Sequence, residues 1–330
     1  MIQMKIVATS AGSYPRIGDR PEQQRHRQAY ARLERCEITT EEFEKIQDEI
    51  TQEVIEEQIK AGLDLVTDGQ VRWYDPISHL ARAINGCRIN GLLRFFDTNF
   101  YFRQPVIEGK LSRRGAVLRR EFSFAKKVSK KPVKPVLTGP YTLAKLSIDR
   151  SGLGLQKIVR NFAEIIAAEV KDLKEEGAEI IQVDEPAILK HPEEFELFSE
   201  AVEIIAGEKG SSYLALYTYF GDVAPLYEKM LELPIDVIGL DFTYSPRLPQ
   251  VIEEQGCDKD IGLGFIDGRN TKLERPEELL EKLQQMLPSL KGDTVYINPS
   301  CGLGDYLPRE IAFQKLKVVA AVAEGMRRMI

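Results

Sequence analysis

Asp184 and Glu185 stand side by side in IIQVDEPAIL (180–189), where an apolar run meets a proline. A carboxylate taken out of water needs donors or a cation, or it gives up its charge, so two adjacent acids leaving a buried strand must be met by something. A ligand ammonium group would serve, which makes Asp184 and Glu185 the first candidates for catalytic or ligand-binding acids. Cys301 in NPSCGLGDYLP (298–308) is the second candidate. A thiol on a glycine-bounded turn suits a metal thiolate or a nucleophile, whereas buried cysteines elsewhere act as small hydrophobes. Asp241, closing the apolar run DVIGLDF (236–242), is its best companion carboxylate. Zinc would need three or four such donors, and His26, His79 and His191 lie in segments that supply no obvious set. There is no GxSxG for a serine hydrolase, and GLGF (262–265) lacks the last glycine of a dinucleotide fingerprint.

Elements must carry these residues to one place. Eight short apolar, β-branched runs recur: 5–10, 63–69, 134–140, 179–186, 213–220, 236–242, 260–267 and 294–300. Helical periodicity fills the intervals. In 39–62, Phe43, Ile46, Ile50, Val54, Ile55 and Ile59 form one stripe between an N-terminal Thr and Gly62, and similar stripes fall in 155–176, 193–207, 222–232, 275–290 and 308–329. Continuous apolar runs, rather than strict alternation, suit parallel strands covered on both faces. Eight of them alternating with helices predict a (β/α)₈ TIM barrel occupying 1–330 as a single domain; a doubly wound open sheet would leave two or three strands unplaced. Residues 85–132 are too long for an ordinary connection and predict an inserted hairpin or excursion between the second and third strands. In such a barrel the C-terminal strand ends form the functional face. Here they bear Gly12 and Ser13, Gln70, Asp184 and Glu185, Tyr217 and Tyr219, Asp241 and Cys301.

Composition narrows the function classes. At 330 residues and 43% hydrophobic content the chain can bury a large core, and a net charge of −6 gives no global attraction to nucleic acid or anionic membrane. No uncharged apolar stretch approaches the roughly 20 residues that span a bilayer, and MIQMKIVATS lacks a signal-peptide layout, so a cytoplasmic location is expected. The four cysteines are far apart with no CxxC, against a disulfide scaffold or zinc ribbon. Segment 113–134 gathers nine Lys and Arg residues, ending at Lys134, and reads as a solvated face of the excursion or a landing strip for a polyanion.

TSAGSYPRIG, DGQVRWYDPIS, RFFDTNFYF, KPVLTGPYTLAKLS, QVDEPAI, TYFGD, GFIDGRN and PSCGL, in this order from about residue 8 to about 303, together resemble the cobalamin-independent methionine synthase family. That family pairs two similar (β/α)₈ barrels, and this chain has the length of one. The resemblance implies methyl transfer to the homocysteine thiol, as in a 5-methyltetrahydropteroyltriglutamate–homocysteine S-methyltransferase. It implies zinc as the thiol activator, and as methyl donor a folate or a corrinoid protein. Gly12 and Ser13 would line the homocysteine carboxylate pocket and Asp184 would meet the ammonium group, with Gln70, Tyr217 and Tyr219 around the substrate. The FDTN, WYD, TYFGD and DGRN segments are closest to the N-terminal barrel. Where the zinc-bearing barrel carries an HxC pair this chain has Tyr217 and Tyr219; Asp241 and Cys301 match the remaining ligand positions, Gln70 replaces a glutamate and Lys190 an acid. The resemblance therefore also admits a zinc-free binding or scaffold subunit beside a catalytic homologue, and the residues alone leave open a metal-free barrel enzyme for another substrate.

Overall fold

Short runs of apolar and β-branched residues can pair in parallel only if helices cover them, and the chain alternates accordingly. The structure is a computed structural model and describes residues 4–304 and 306–330. Its first half runs β1 (Lys5–Ala8), α1 (Arg25–Glu34), α2 (Thr40–Ala61), α3 (Ser78–Ala81), β2 (Ile84–Arg94), β3 (Tyr101–Arg113), α4 (Arg119–Val128), β4 (Val136–Thr138), α5 (Pro140–Lys145), β5 (Ile148–Asp149) and α6 (Leu155–Glu175). Its second half runs β6 (Ile180–Asp184), α7 (Phe195–Ala206), β7 (Tyr213–Thr218), α8 (Tyr227–Glu232), β8 (Val237–Asp241), α9 (Leu248–Gln255), β9 (Asp260–Ile266), α10 (Pro276–Met286), β10 (Thr294–Pro299) and α11 (Arg309–Arg327).

Seven strands form one parallel sheet in the order β1-β10-β9-β8-β7-β6-β4. The eighth position is held by two residues: Leu65 bridges to Thr9 and Val66 to Val133, both parallel, so residues 65 and 66 span the gap between β1 and β4. Sequence periodicity predicts a longer strand at 63–69. It stops early because the Gln58 side chain takes both the N–H (3.0 Å) and the carbonyl (2.8 Å) of Thr67, and Gly69 (φ 68°) and Gln70 (φ 52°) then turn into the left-handed region. The excursion is an antiparallel hairpin of β2 and β3, with β5 added along β3, followed by α4.

Helix α2 shows how local sequence sets the boundaries. The Thr39 hydroxyl accepts from Glu42 N–H (3.2 Å) while the Glu42 carboxylate accepts from Thr39 N–H (2.8 Å), and Gly62 ends the helix at φ 103°. Its apolar stripe, Phe43, Ile50, Val54 and Ile55, is buried.

The basic run is dispersed rather than continuous. Arg113 bonds Glu169 (2.8 Å), Arg119 bonds Glu176 (2.9 Å), Arg120 approaches Glu44 (3.1 Å), and Lys134 is fully buried. The exposed pairs of Arg119 and Arg120 contribute little stability, but all three leave less free positive charge for a polyanion than the sequence suggests.

Strand alternation sorts the core into two layers. Ile181, Val183, Leu214 and Leu216 pack outward in the large cluster shared with the helices, whereas Val7, Leu65, Ile180, Ala215, Tyr217, Val237 and Tyr296 pack together inside the ring. The Tyr217 ring lies across that interior because Gly239 and Gly262 leave it room. A Cβ on Gly239 would stand 2.3 Å from the ring, and one on Gly262 2.5 Å from its hydroxyl. Gly239→Ala is therefore expected to lower unfolding free energy by about 1–3 kcal/mol through overpacking. Urea unfolding measures it, and an unchanged midpoint would contradict the packing described.

Candidate active site

At the C-terminal ends of the strands a cleft of about 600 Å³ opens, lined among others by Ser13, Gln70, Asp184, Tyr219 and Cys301. Five residues from the predicted set thus meet on one surface. Asp184 ends β6 and points inward, in the same alternating register as Gln182. Its Oδ1 accepts from Gln182 Nε2 (2.7 Å) and its Oδ2 from the Tyr219 hydroxyl (3.2 Å). The Gln182 amide is oriented by a second acceptor, Ala11 O at 2.9 Å, so its nitrogen faces the carboxylate. Burial pushes the Asp184 carboxyl up to about 7, against these two hydrogen bonds and the Lys134 cation.

Ser13 sits where the first strand's loop meets the turn after β10. Its hydroxyl accepts from Gly304 N–H (3.2 Å), and its carbonyl accepts from Leu303 N–H (2.8 Å). An oxygen already holding a donor leaves its own proton free for a ligand acceptor. Gly12, at φ 140°, lies directly behind this edge against Val136 and Gln70.

Gln70 and Phe220 both line the cleft and both hold left-handed backbones, at φ 52° and 65°. Non-glycine residues pay a conformational cost of about 1–3 kcal/mol there, and such strain gathers at functional sites. Aromatic side chains complete the walls. Phe95 and Phe100 from the hairpin tip reach Phe220 (ring centroids 6.1 Å) and Tyr306 (5.8 Å), and Tyr244 donates to Asp97 of the same tip at 2.6 Å. The excursion is therefore a roof over the cleft. RFFDTNFYF carried this signal as aromatic density, but the density does not say what the rings cover. Trp73, Asp75 and Arg16 also line the cleft and were not anticipated.

Three of the predicted residues take other places. Glu185, one step beyond Asp184, faces the opposite way. Its oxygens accept from Tyr141 N–H (2.9 Å), Thr142 N–H (2.7 Å) and the Thr142 hydroxyl (2.6 Å), anchoring the first turn of α5 outside the cleft. Burial still raises it to about 7. Tyr217 lies beneath the floor, its hydroxyl 3.3 Å from Asn298 Oδ1. Asp241 stands behind Cys301: its Oδ1 accepts from Thr243 N–H (2.8 Å) and hydroxyl (2.6 Å), and its Oδ2 from Phe220 N–H (3.2 Å).

This donor set does not fit zinc. The Asp241 oxygens already accept three hydrogen bonds. Tyr217 and Tyr219 supply no nitrogen or sulfur. Among the described residues, three metal-type donors approach one another closely enough only at His191, Glu193 and Glu194, outside the cleft, and Lys145 already bonds Glu194 at 3.0 Å.

Known proteins share this architecture. The family model described as "Cobalamin-independent synthase, Catalytic domain" matches residues 6–325. A methionine synthase of Sulfurisphaera tokodaii is 34% identical over 322 residues, covering 96% of this chain and 91% of that one. One from Saccharolobus solfataricus is 34% identical over 331 residues, covering 98% and 94%. Among solved structures, a B12-independent methionine synthase of a Shewanella species, in complex with selenomethionine, superposes with a TM-score of 0.80 at 22% identity over 98% of each chain. A putative vitamin-B12 independent methionine synthase from Listeria monocytogenes does so at 0.76 with 18% identity, covering 98% of this chain and 99% of that one. With the family model spanning nearly all of its length and relatives at this identity end to end, the chain belongs to the cobalamin-independent methionine synthase family, matched on its catalytic domain.

Proposed function

We propose that this chain, acting as one barrel domain, forms methionine by methyl transfer to the thiol of homocysteine. The observation that carries this reading is the meeting of Ser13, Gln70, Asp184, Tyr219 and Cys301 on one cleft at the strand ends, in a chain whose relatives are methionine synthases. Asp184 receives the substrate ammonium group. The Ser13 hydroxyl, held by Gly304 N–H, donates to the substrate carboxylate. The thiol then lies toward Gln70, Tyr219 and Cys301, under the aromatic roof that excludes water. The sulfur gains the methyl group, and the thiol proton ends on the nitrogen that the methyl leaves if the donor is a methylated folate. A folate is the donor that the family favours; a corrinoid protein is the other source to be assayed. Glu185 acts by fixing α5 rather than by touching substrate. The four cysteines are all free thiols, which suits work in the reducing cytoplasm.

A second reading rests on the resemblance, which puts Tyr217 and Tyr219 where the zinc-bearing barrel would carry its HxC pair. On that reading the barrel binds the amino acid but needs a catalytic homologue as partner subunit. Methionine formation by the purified chain alone, assayed with homocysteine and either methylfolate or methylcobalamin, separates the two: turnover excludes the dependent subunit, and turnover only after adding a homologue establishes it.

Asp184→Asn is expected to weaken methionine binding about 30-fold or more, the scale for unpairing a buried charge, read by calorimetry. Its stability should not fall at pH 8. A carboxyl raised in the folded state binds more protons folded than unfolded between its usual value near 4 and about 7, so it loses stability as pH rises through that window, and Asn removes this loss. Glu185→Gln should lower the melting temperature while leaving affinity within about twofold, because the amide nitrogen that replaces one carboxylate oxygen faces buried donors of the first turn of α5 and leaves them unpaired, a cost that outweighs relief of the buried charge. Metal analysis of the purified chain should find zinc well below one equivalent, with methionine binding unchanged by chelator; stoichiometric zinc would overturn the reading of the donor set.

A further inference from the structure

Lys134, the last cation of the basic run, is fully buried and points into the barrel. Its main-chain N–H bonds Val66 O (2.8 Å), which fixes the segment before β4, and its ammonium crosses to the Ser10 carbonyl (3.0 Å). It also stands over the face of the Tyr217 ring, 4.9 Å from the centroid, where the π electrons attract a cation. No carboxylate of the described residues lies within ion-pairing distance of it; the one acid whose charge reaches it is Asp184. An ammonium kept out of water without a paired acid is costly to maintain, so its place beneath the ligand-binding carboxylate calls for a function.

Asp184 presents the complementary need. Both of its oxygens already accept hydrogen bonds, from Gln182 and Tyr219, and these favour the ionised form. Yet it is only 8% exposed, and burial alone favours the neutral acid, which cannot attract an ammonium group. The titratable neighbours of Asp184 are Lys134, Tyr219 just beyond β7 and Glu185 beside it, with Cys301 and Tyr306 beyond Tyr219. Those of Lys134 are Asp184 and Tyr217, with Asp68 and Glu121 lining the small cavity beside it, and Tyr217 in turn faces Tyr296 of β10. Lys134 is the one cation in this set.

We propose that Lys134 is a positioning residue for substrate binding: its cation, fixed between the Ser10 carbonyl and the Tyr217 ring, keeps Asp184 ionised so that the cleft can hold an amino acid by its ammonium group. This rests on the functional reading above. The lysine touches no ligand and lines no part of the cleft; it acts through the carboxylate. Burial lowers its own ammonium to about 7, so the support it gives is strongest at neutral pH and below.

The test is calorimetry of the whole chain and of Lys134→Met with two probes: methionine, and 4-(methylthio)butanoate, which lacks the amino group. Removing an opposite charge beyond ion-pairing distance raises a buried carboxyl by roughly half a unit, and below the midpoint that is about a threefold loss of ionised acid. The expected result is a loss of methionine affinity of about threefold at pH 6.5, shrinking to nearly none at pH 9, with the butanoate unaffected at both. Lys134→Gln, which keeps a donor for Ser10 O without the charge, should behave alike and guards against a packing defect in the Met variant. A loss that is equal for both probes, a loss independent of pH, or no loss overturns the proposal. If the unsubstituted chain binds no methionine, the functional reading fails and this inference falls with it, a result distinct from binding that ignores Lys134.

Discussion

Asp184 is a carboxyl buried where the ring of strands meets the cleft, and much of the interior is arranged around it. Asp184 is buried with both oxygens accepting hydrogen bonds. Beneath it the barrel interior mixes polar groups, Gln182, Lys134 and the Tyr217 hydroxyl, with the apolar side chains of Val7, Leu65, Ile180 and Val237. Gly239 and Gly262 belong to the same arrangement, since their missing side chains make the space in which the Tyr217 ring lies under the lysine cation. A change at either glycine would reach the Lys134 ammonium through the Tyr217 ring.

Adjacent acids end up with opposite duties because side chains alternate along a strand. Asp184 follows Ile180 and Gln182 to the inside; Glu185 follows Ile181 and Val183 to the helix side, where it meets the first turn of α5. One acid presents charge to the cleft and the other holds the segment that helps wall it. The cleft is further closed by the hairpin tip, whose Phe95 and Phe100 pack on Phe220 and Tyr306. An apolar roof lowers the local dielectric and strengthens the attraction between Asp184 and a cation.

The zinc-bearing pattern that the sequence resembles is not completed here. Tyr217 and Tyr219 offer a phenol each, with no nitrogen or thiol, and Tyr219 is engaged in holding Asp184.

Sequence by itself determined the alternation of eight apolar runs with amphipathic helices, the hairpin excursion at 85–132, and the types of residue at the strand ends, because burial on two faces and helix capping are local in their demands. The ordered motifs determined the family as well. Only the tertiary structure decided which strand-end residues share a surface. Asp184 and Glu185 are indistinguishable in VDEP until the register of β6 assigns them to opposite faces. Tyr217 and Tyr219 divide between floor and cleft by their height along one strand. Lys134 reads as the end of a surface charge run; it is buried because the pairing of its backbone with Val66 aims its side chain across the barrel, a contact between segments 68 residues apart that no local pattern encodes.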